Sequence, residues 1–241
     1  MHYRDIQITN KAFYVVEPRA VFYDDYLKQK DAKKWTESVT TEEAEKLLRF
    51  IASWDPHFIG ETETFRRVYS DVFPDLDFLK GKSIENVDLD NPQVEKSIIH
   101  IFDKVADGLC YKHQSTDASK ILHTILPDLI VMWDRKIREG ILKDVNKDWG
   151  TAYVWEFLPK MQEEAREAIA SCAQEKELSS ADAKRTIEEE CRGHSLAKLI
   201  DQHNYVIFTR TEKFKKVLEW ALKNRKITEL EQQRLLSKLP Y

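Results

Sequence analysis

Glycine, proline and cysteine are all scarce in this sequence. Its 241 residues include six glycines, seven prolines and three cysteines. Sheets with tight turns usually need more glycine and proline, so their scarcity favours helices joined by short connections. Three cysteines do not suggest the disulfide framework of a small secreted protein.

Long apolar segments and an N-terminal leader are also missing. The apolar runs extend over only a few residues, whereas a membrane-spanning helix needs roughly 20. The opening residues, MHYRDIQITN, lack the basic stretch and apolar run of a secretory signal. We therefore predict a cytoplasmic chain with reduced thiols and no membrane partner.

Common catalytic and cofactor motifs are absent as well. The sequence has no GxxxxGK[ST] or GxGxxG phosphate loop, no HExxH, no paired CxxC and no GxSxG. Two aspartate doublets, Asp75/Asp77 and Asp88/Asp90, fall in a predicted loop over 73–91. Aspartate is common in turns for local hydrogen-bonding reasons, so these doublets do not predict a metal. We predict no cofactor.

Helical patterns dominate what is present. Thr40 with Glu43, and Thr228 with Glu231, have the spacing of a capping box that begins a helix. Apolar residues then recur at helical spacing along most of the chain. Residues 1–39 are less regular and fit either two short strands or a helix pair, with a helix over Pro18–Gln29 favoured. The sequence predicts one all-α domain over 1–241, with roughly ten helices and an irregular N-terminal segment at 1–39.

One segment, STDASKILHTILPDLIVMWDRKIREGI at 115–141, combines polar residues with a dense apolar pattern. Lys120 and His123 lie one turn apart on a predicted helix that Pro127 ends. An apolar connection follows, and Asp134 is the expected N-cap of a helix over Arg135–Leu142. This layout is consistent with a buried polar network that fixes how the helices pack.

The same layout resembles the catalytic segment of the helix-hairpin-helix DNA glycosylases. The resemblance covers about thirty residues, "ASKIL" and "LPDLIVMWDRKIR" above all. Where these glycosylases have a glycine-rich hairpin, this sequence instead has GLCYKHQSTDAS, which contains one glycine. A distant or degenerate member is therefore implied. The resemblance implies DNA as the partner, Asp134 as the catalytic carboxylate and Lys120 as the Schiff-base lysine. It further implies a cleft that contains Arg135, with His123 or Trp133 stacking on a flipped base.

Charge is unevenly distributed along the chain. Residues 161–191 contain nine acids and four bases, a balance of −5, whereas residues 210–241 contain nine bases and four acids, a balance of +5. A basic patch of this kind suits DNA phosphates. The alternatives are a solvated helix face and a surface for a protein partner or a homo-oligomer. The candidate phosphate-binding residues are Lys213, Lys215, Lys216, Arg225 and Lys226.

A further pattern is the repeated spacing C-x2-H. Cys110 with His113, and Cys191 with His194, would supply four ligands for a tetrahedral zinc ion if the fold brought them together. The alternative is that the two cysteines are half-buried and the histidines lie nearby on the surface.

Overall fold

All regular structure in the described part of the chain is helical. The computed structural model describes residues 1–29, 36, 38–55, 57–108, 115–142 and 149–240. The elements are α1 (Tyr3–Val16), α2 (Ala20–Gln29), α3 (Thr41–Trp54), α4 (Thr62–Leu79), α5 (Pro92–Gly108), α6 (Ser115–Ile125), α7 (Arg135–Ile141), α8 (Trp149–Ala152), a π-helical turn π1 (Tyr153–Phe157), α9 (Leu158–Lys176), α10 (Ser180–Glu190), α11 (Leu196–Asn204), a second π-helical turn π2 (Tyr205–Thr209), α12 (Thr211–Lys223) and α13 (Glu229–Leu236).

The predicted fold class is confirmed. When the continuous stretches 149–176 and 196–209 are each counted once, the described residues form 12 helices. Both predicted capping boxes begin their helices, because Thr40 and Thr228 accept the backbone N–H of Glu43 and Glu231. Within the described ranges, no helix combines the length and apolar content that a bilayer crossing requires. The single domain over 1–241 stays a prediction.

The N-terminal segment forms the helix pair that its sequence allowed, including the favoured helix before Gln29, rather than an irregular stretch. Helices α1 and α2 occupy most of its described residues. The buried side of α1 includes the polar residues Asp5, Thr9 and Asn10, which obscure its apolar periodicity. Distant partners satisfy them: Arg234 Nε donates to Asp5 at 2.7 Å, and Asn10 donates to Gln202 at 2.7 Å. These tertiary contacts hold α1 in place, and they cannot be predicted from the sequence of the helix itself.

The predicted loop over 73–91 is also partly helical. Helix α4 continues through Pro74 to Leu79, so Asp75 and Asp77 lie on the helix. Apolar residues after the proline, Leu76 and Leu79, are buried, and this packing outweighs the backbone hydrogen bond that proline removes. Asp75 accepts a hydrogen bond from Ser97 Oγ at 2.6 Å and thereby joins α4 to α5.

The buried apolar residues form two clusters. The larger one includes Trp133, Ile137 and most of α3 to α11, whereas the smaller one joins α1 to π2, α12 and α13 and includes Phe13. Tyr205 packs against both clusters. A cleft opens where they meet, and residues from both form its wall.

Candidate functional site

The cleft between the two clusters has a volume of about 330 Å³. This volume is at the lower end of the range of small-molecule sites. Its wall combines aromatic and ionisable side chains from helices that are far apart in sequence. The wall residues that matter below are Phe13, Glu17, Trp54, Asp55, Lys120, Trp133, Asp134, Asp201, Tyr205 and Thr209.

Asp134 is the N-cap of α7 and lies on the cleft wall. Its Oδ1 accepts the backbone N–H of Ile137 at 2.9 Å, and its Oδ2 accepts the hydroxyl of Thr209 at 2.5 Å. The first contact places the carboxylate at the positive end of a helix. The second comes from Thr209, the last residue of the π-helical turn π2. Both carboxylate oxygens are therefore held in fixed positions.

The buried connection before Asp134 is held by side chains. His123 is fully buried, and its Nδ1 lies 2.6 Å from the carbonyl of Ile130 while its Nε2 lies 2.7 Å from the Tyr23 hydroxyl. The hydroxyl of Tyr153, in π1, donates to the Val131 carbonyl at 2.7 Å and accepts the Val131 N–H at 3.0 Å. Buried backbone groups need such partners. Through these contacts, His123 and Tyr153 fix the chain that carries Asp134.

Lys120 lies on the same wall and bridges two carboxylates. Its Nζ is 2.5 Å from Asp55 Oδ2 and 3.4 Å from Asp117 Oδ1, and its side chain is 15% exposed. Burial opposes ionisation of Asp55, but the charge of Lys120 and its hydrogen bond outweigh this, so the pKa of Asp55 is lowered. Burial dominates at Asp117 and raises its pKa despite Lys120. The ammonium is thus built into an ion-pair triad at the cleft.

Behind the wall, Lys198 and Asp201 form a buried ion pair. Lys198 is fully buried, and its Nζ donates to Asp201 Oδ2 at 2.8 Å. The Nζ also lies over the rings of Trp54 and Tyr23, 4.5 and 4.6 Å from their centroids, which stabilises the cation. Burial lowers the pKa of Lys198 and raises that of Asp201. Asp201 itself lines the cleft, and its Oδ1 has no hydrogen bond to any described residue.

Glu17 forms a third charged cluster at the cleft. Its buried carboxylate accepts hydrogen bonds from Arg19 Nε at 2.9 Å, from Arg210 at 2.8 Å and from the Tyr205 hydroxyl at 2.5 Å. Burial alone would raise the pKa of Glu17, but these donors lower it to about 2. The cluster ties α1 to π2 along one side of the cleft.

This cluster predicts a specific loss of stability in acid. Because the pKa of Glu17 falls from 4.5 in the unfolded chain to about 2 in the folded protein, its stabilisation is present above pH 4.5. It is lost as the pH falls towards 2, and it amounts to about 3 kcal/mol. Denaturant unfolding of the wild type and Glu17→Gln at several pH values measures the difference. Between pH 5 and pH 2 the wild type should lose about 3 kcal/mol more than the variant. Parallel pH profiles would contradict the role of this carboxylate.

The candidate residues from the sequence divide into two groups. Lys120, Trp133 and Asp134 line one cleft, whereas His123 lies in the core beneath it. The ring of Trp133 is itself buried, and its Nε1 donates to the Ser115 carbonyl at 3.1 Å, so its face is occupied by core packing. Arg135 lies away from the cleft wall, 82% exposed and paired with Glu139 on its own helix.

Several wall residues were missed by sequence analysis. Asp55 was not among the candidate residues, yet it pairs with Lys120. The pair Lys198/Asp201, at i and i+3 on the same helix, was a usable signal because such a spacing allows two opposite charges to pair. Glu17 and Thr209 gave no local signal of the cleft, since the partners that place them there, Tyr205 and Asp134, lie 188 and 75 residues away.

The proposed zinc ligands can be assessed for one pair. Burial raises the pKa of the Cys191 thiol to about 12, which disfavours the thiolate that zinc binds. His194 Nε2 lies 2.9 Å from Asp24, and its Nδ1 lies 3.1 Å from Gln202 Nε2, so both ring nitrogens already have partners. Cys110 and His113 lie outside the described residues. Among those described, no three His, Cys, Asp or Glu residues converge as metal ligands.

The basic residues of the C-terminal region lie on and just after α12. Lys213, Lys216, Arg225 and Lys226 are exposed, whereas Lys215 is partly buried and pairs with Glu212 at 2.8 Å. Lys213 follows the cleft residue Thr209 by four positions. Lys216 and Lys226 instead line a separate apolar groove.

Comparison of the chain with protein-family models, with curated proteins and with solved structures yields no match. The geometry of the cleft is therefore the basis for a functional proposal.

Proposed function

We propose that the cleft binds one nucleoside unit of a nucleic acid and hydrolyses its N-glycosidic bond, with Asp134 as the catalytic carboxylate. The observation that carries this proposal is the fixed carboxylate of Asp134, which caps α7 inside a cleft lined by the aromatic rings of Phe13, Trp54 and Tyr205. Aromatic walls suit a base that has left its stack, and the resemblance of residues 115–141 to a glycosylase segment points to the same reaction.

The chemistry requires a negative charge beside the sugar. As the bond from C1′ to the base nitrogen breaks, its electron pair leaves with the base and positive charge develops on the sugar. A preorganised carboxylate stabilises that charge. A water molecule then adds its oxygen to C1′, and its proton passes to Asp134. The products are the free base and a sugar that carries a hydroxyl at C1′.

The departing base needs a proton, and Asp201 is the group we assign to supply it. The carboxyl of Asp201 is buried, and burial raises its pKa, so it takes up a proton more readily than an exposed aspartate does. Oδ1 of Asp201 is the oxygen available to the cleft, since Oδ2 accepts from Lys198. Asp134 and Asp201 thus have different environments, as acid and base pairs in catalysis usually do.

Lys120 has a binding role in this proposal. The Nζ of Lys120 is already engaged, because it donates to both Asp55 and Asp117. We therefore expect hydrolysis without a Schiff-base intermediate. Lys120 would instead hold Asp55 at the cleft and contact hydroxyl or phosphate oxygens of the substrate.

The test is product analysis on a substrate panel. Duplex and single-stranded oligonucleotides with normal, damaged and abasic positions are incubated with the protein, and released bases are identified by mass spectrometry. Borohydride is added in parallel to trap any Schiff base, with Lys120→Ala as the control. Base release without a trapped adduct is expected. If no oligonucleotide in the panel binds and none loses a base, the proposal is wrong.

Two exposed basic side chains that lie close in sequence to cleft residues are proposed to contact flanking phosphates. Arg135 follows Asp134 directly, and Lys213 lies one turn after Thr209, so both lie close in sequence to residues of the cleft wall. In the double variant Arg135→Ala/Lys213→Ala we expect weaker oligonucleotide binding. We also expect the binding constant to depend less steeply on salt concentration, because about two fewer counterions are released on binding. Binding is measured by fluorescence anisotropy over a range of salt concentrations. The double variant Lys216→Ala/Lys226→Ala is the matched control and should leave the salt dependence of binding unchanged. An equal effect of both double variants would contradict a specific path of the nucleic-acid backbone past Arg135 and Lys213.

A further inference from the structure

A second concave surface lies on the other side of α1. This groove runs between α1, α12 and the start of α13, and its volume is about 680 Å³. Its wall is mainly apolar and includes Ile8, Val15, Val217 and Trp220. Trp220 is 60% exposed. An open apolar surface with a tryptophan is typical of a site that binds another molecule.

The rim of the groove is positively charged. Lys11, Lys216 and Lys226 all lie on it, and none of their three ammonium groups forms a hydrogen bond or an ion pair with a described residue. Among the described residues of the wall, the one acidic side chain is Glu231, whose Oε2 accepts from the backbone N–H of Thr228 at 2.7 Å. The groove therefore has an apolar floor with an excess of positive charge at its edge.

The dimensions of the groove fit a short helix. Its wall follows α1 from Arg4 to Val15, which corresponds to about 16 Å or three helical turns. An amphipathic helix in such a groove places apolar residues at i, i+4 and i+7 on the floor. We propose that this groove binds an acidic amphipathic helix of a partner protein, whose carboxylates meet Lys11, Lys216 and Lys226.

A second copy of this chain matches the groove less well. The most acidic region lies in α9 and α10, which turn their apolar residues inward: Ala165, Ile169 and Ile187 are buried. Their exposed faces therefore offer carboxylates without the apolar anchors that the floor requires. A separate protein that presents both features on one helix fits the surface better.

The test uses a designed peptide of about four helical turns, with leucines along one face and glutamates elsewhere. Two control peptides have the same leucines distributed around the helix, or lysines in place of the glutamates. Binding to the full-length protein is followed by anisotropy of a fluorescein label. We expect the acidic amphipathic peptide to bind at least about tenfold more tightly than either control.

Variants locate the binding to the groove. In Trp220→Ala the affinity should fall by about tenfold, whereas Trp155→Ala, which removes a tryptophan that is 58% exposed outside the groove, should leave it unchanged. The triple charge reversal Lys11→Glu/Lys216→Glu/Lys226→Glu should reject the acidic peptide and accept the lysine peptide. All substituted side chains are exposed, and denaturant unfolding checks that each variant is folded.

Three outcomes would overturn the proposal. The first is equal binding of the amphipathic peptide and its scrambled control. The second is a concentration-dependent dimer, detected by light scattering, that Trp220→Ala dissociates, since this would make a second copy the occupant. The third is flotation with phosphatidylserine vesicles that depends on the three lysines while the peptide fails to bind, since this would make a membrane the occupant.

Discussion

Replacing Asp134 by asparagine is expected to slow the proposed base release by at least about a hundredfold while leaving the protein folded. The rate should fall because asparagine carries no charge to stabilise the positive sugar and cannot accept the proton of the attacking water. Stability should change little because asparagine and aspartate are equally good N-caps, so the contact to Ile137 N–H is retained. Single-turnover rates on the substrate with the fastest base release, together with denaturant unfolding, measure the two effects.

A matched variant separates charge from position at the same site. Thr209→Val removes the hydroxyl that holds Asp134 Oδ2 but leaves the carboxylate in place. We expect a smaller loss of rate, about tenfold, because the charge remains and only its orientation is relaxed. If Asp134→Asn retains the wild-type rate, Asp134 is a structural cap and the mechanism proposed here is wrong.

Removing one partner of the Lys198–Asp201 pair is expected to cost about 3 to 5 kcal/mol in the free energy of unfolding. Both side chains are buried, and a single replacement leaves an uncompensated charge among aromatic rings. The double variant Lys198→Met/Asp201→Leu leaves no such charge and should recover most of the loss. Denaturant unfolding of Lys198→Met, Asp201→Leu and the double variant gives the coupling between the two positions.

An exposed ion pair provides the comparison for these three variants of the buried pair. Arg135 and Glu139 are 2.7 Å apart at i and i+4 on α7, and both are exposed. Glu139→Ala should cost far less than either single replacement in the buried pair, because solvent screens the exposed pair. Additive effects of the two substitutions at positions 198 and 201 would contradict a coupled buried pair. In the active protein, Asp201→Leu should also slow base release, whereas Glu139→Ala should not.

The features that the sequence alone determined are local. Thr40, Asp134 and Thr228 cap their helices through backbone N–H groups three residues further along the chain. Such contacts form in any context that allows the helix, and so their spacing is visible in the sequence. The scarcity of glycine and proline, together with apolar residues at helical spacing, determined the all-α class for the same reason.

Tertiary structure decided where the chain departs from the structure that its local sequence favours. Pro74 is a local signal for a helix end, but α4 continues beyond it because Leu76 and Leu79 are buried in the core. Asp5 and Asn10 look unsuited to a buried helix face, but Arg234 and Gln202 supply their hydrogen bonds from far along the chain. Burial of polar groups is acceptable only when such partners arrive, and their arrival depends on the whole fold.

The cleft is likewise a product of the tertiary structure. The sequence singled out Lys120 and Asp134, yet the partners that orient them, Asp55 and Thr209, lie 65 and 75 residues away. Their positions depend on the meeting of two apolar clusters and on the π-helical turn that carries Thr209. Local hydrogen bonding encodes where a helix begins, whereas long-range packing decides which helix ends face one another across a cleft.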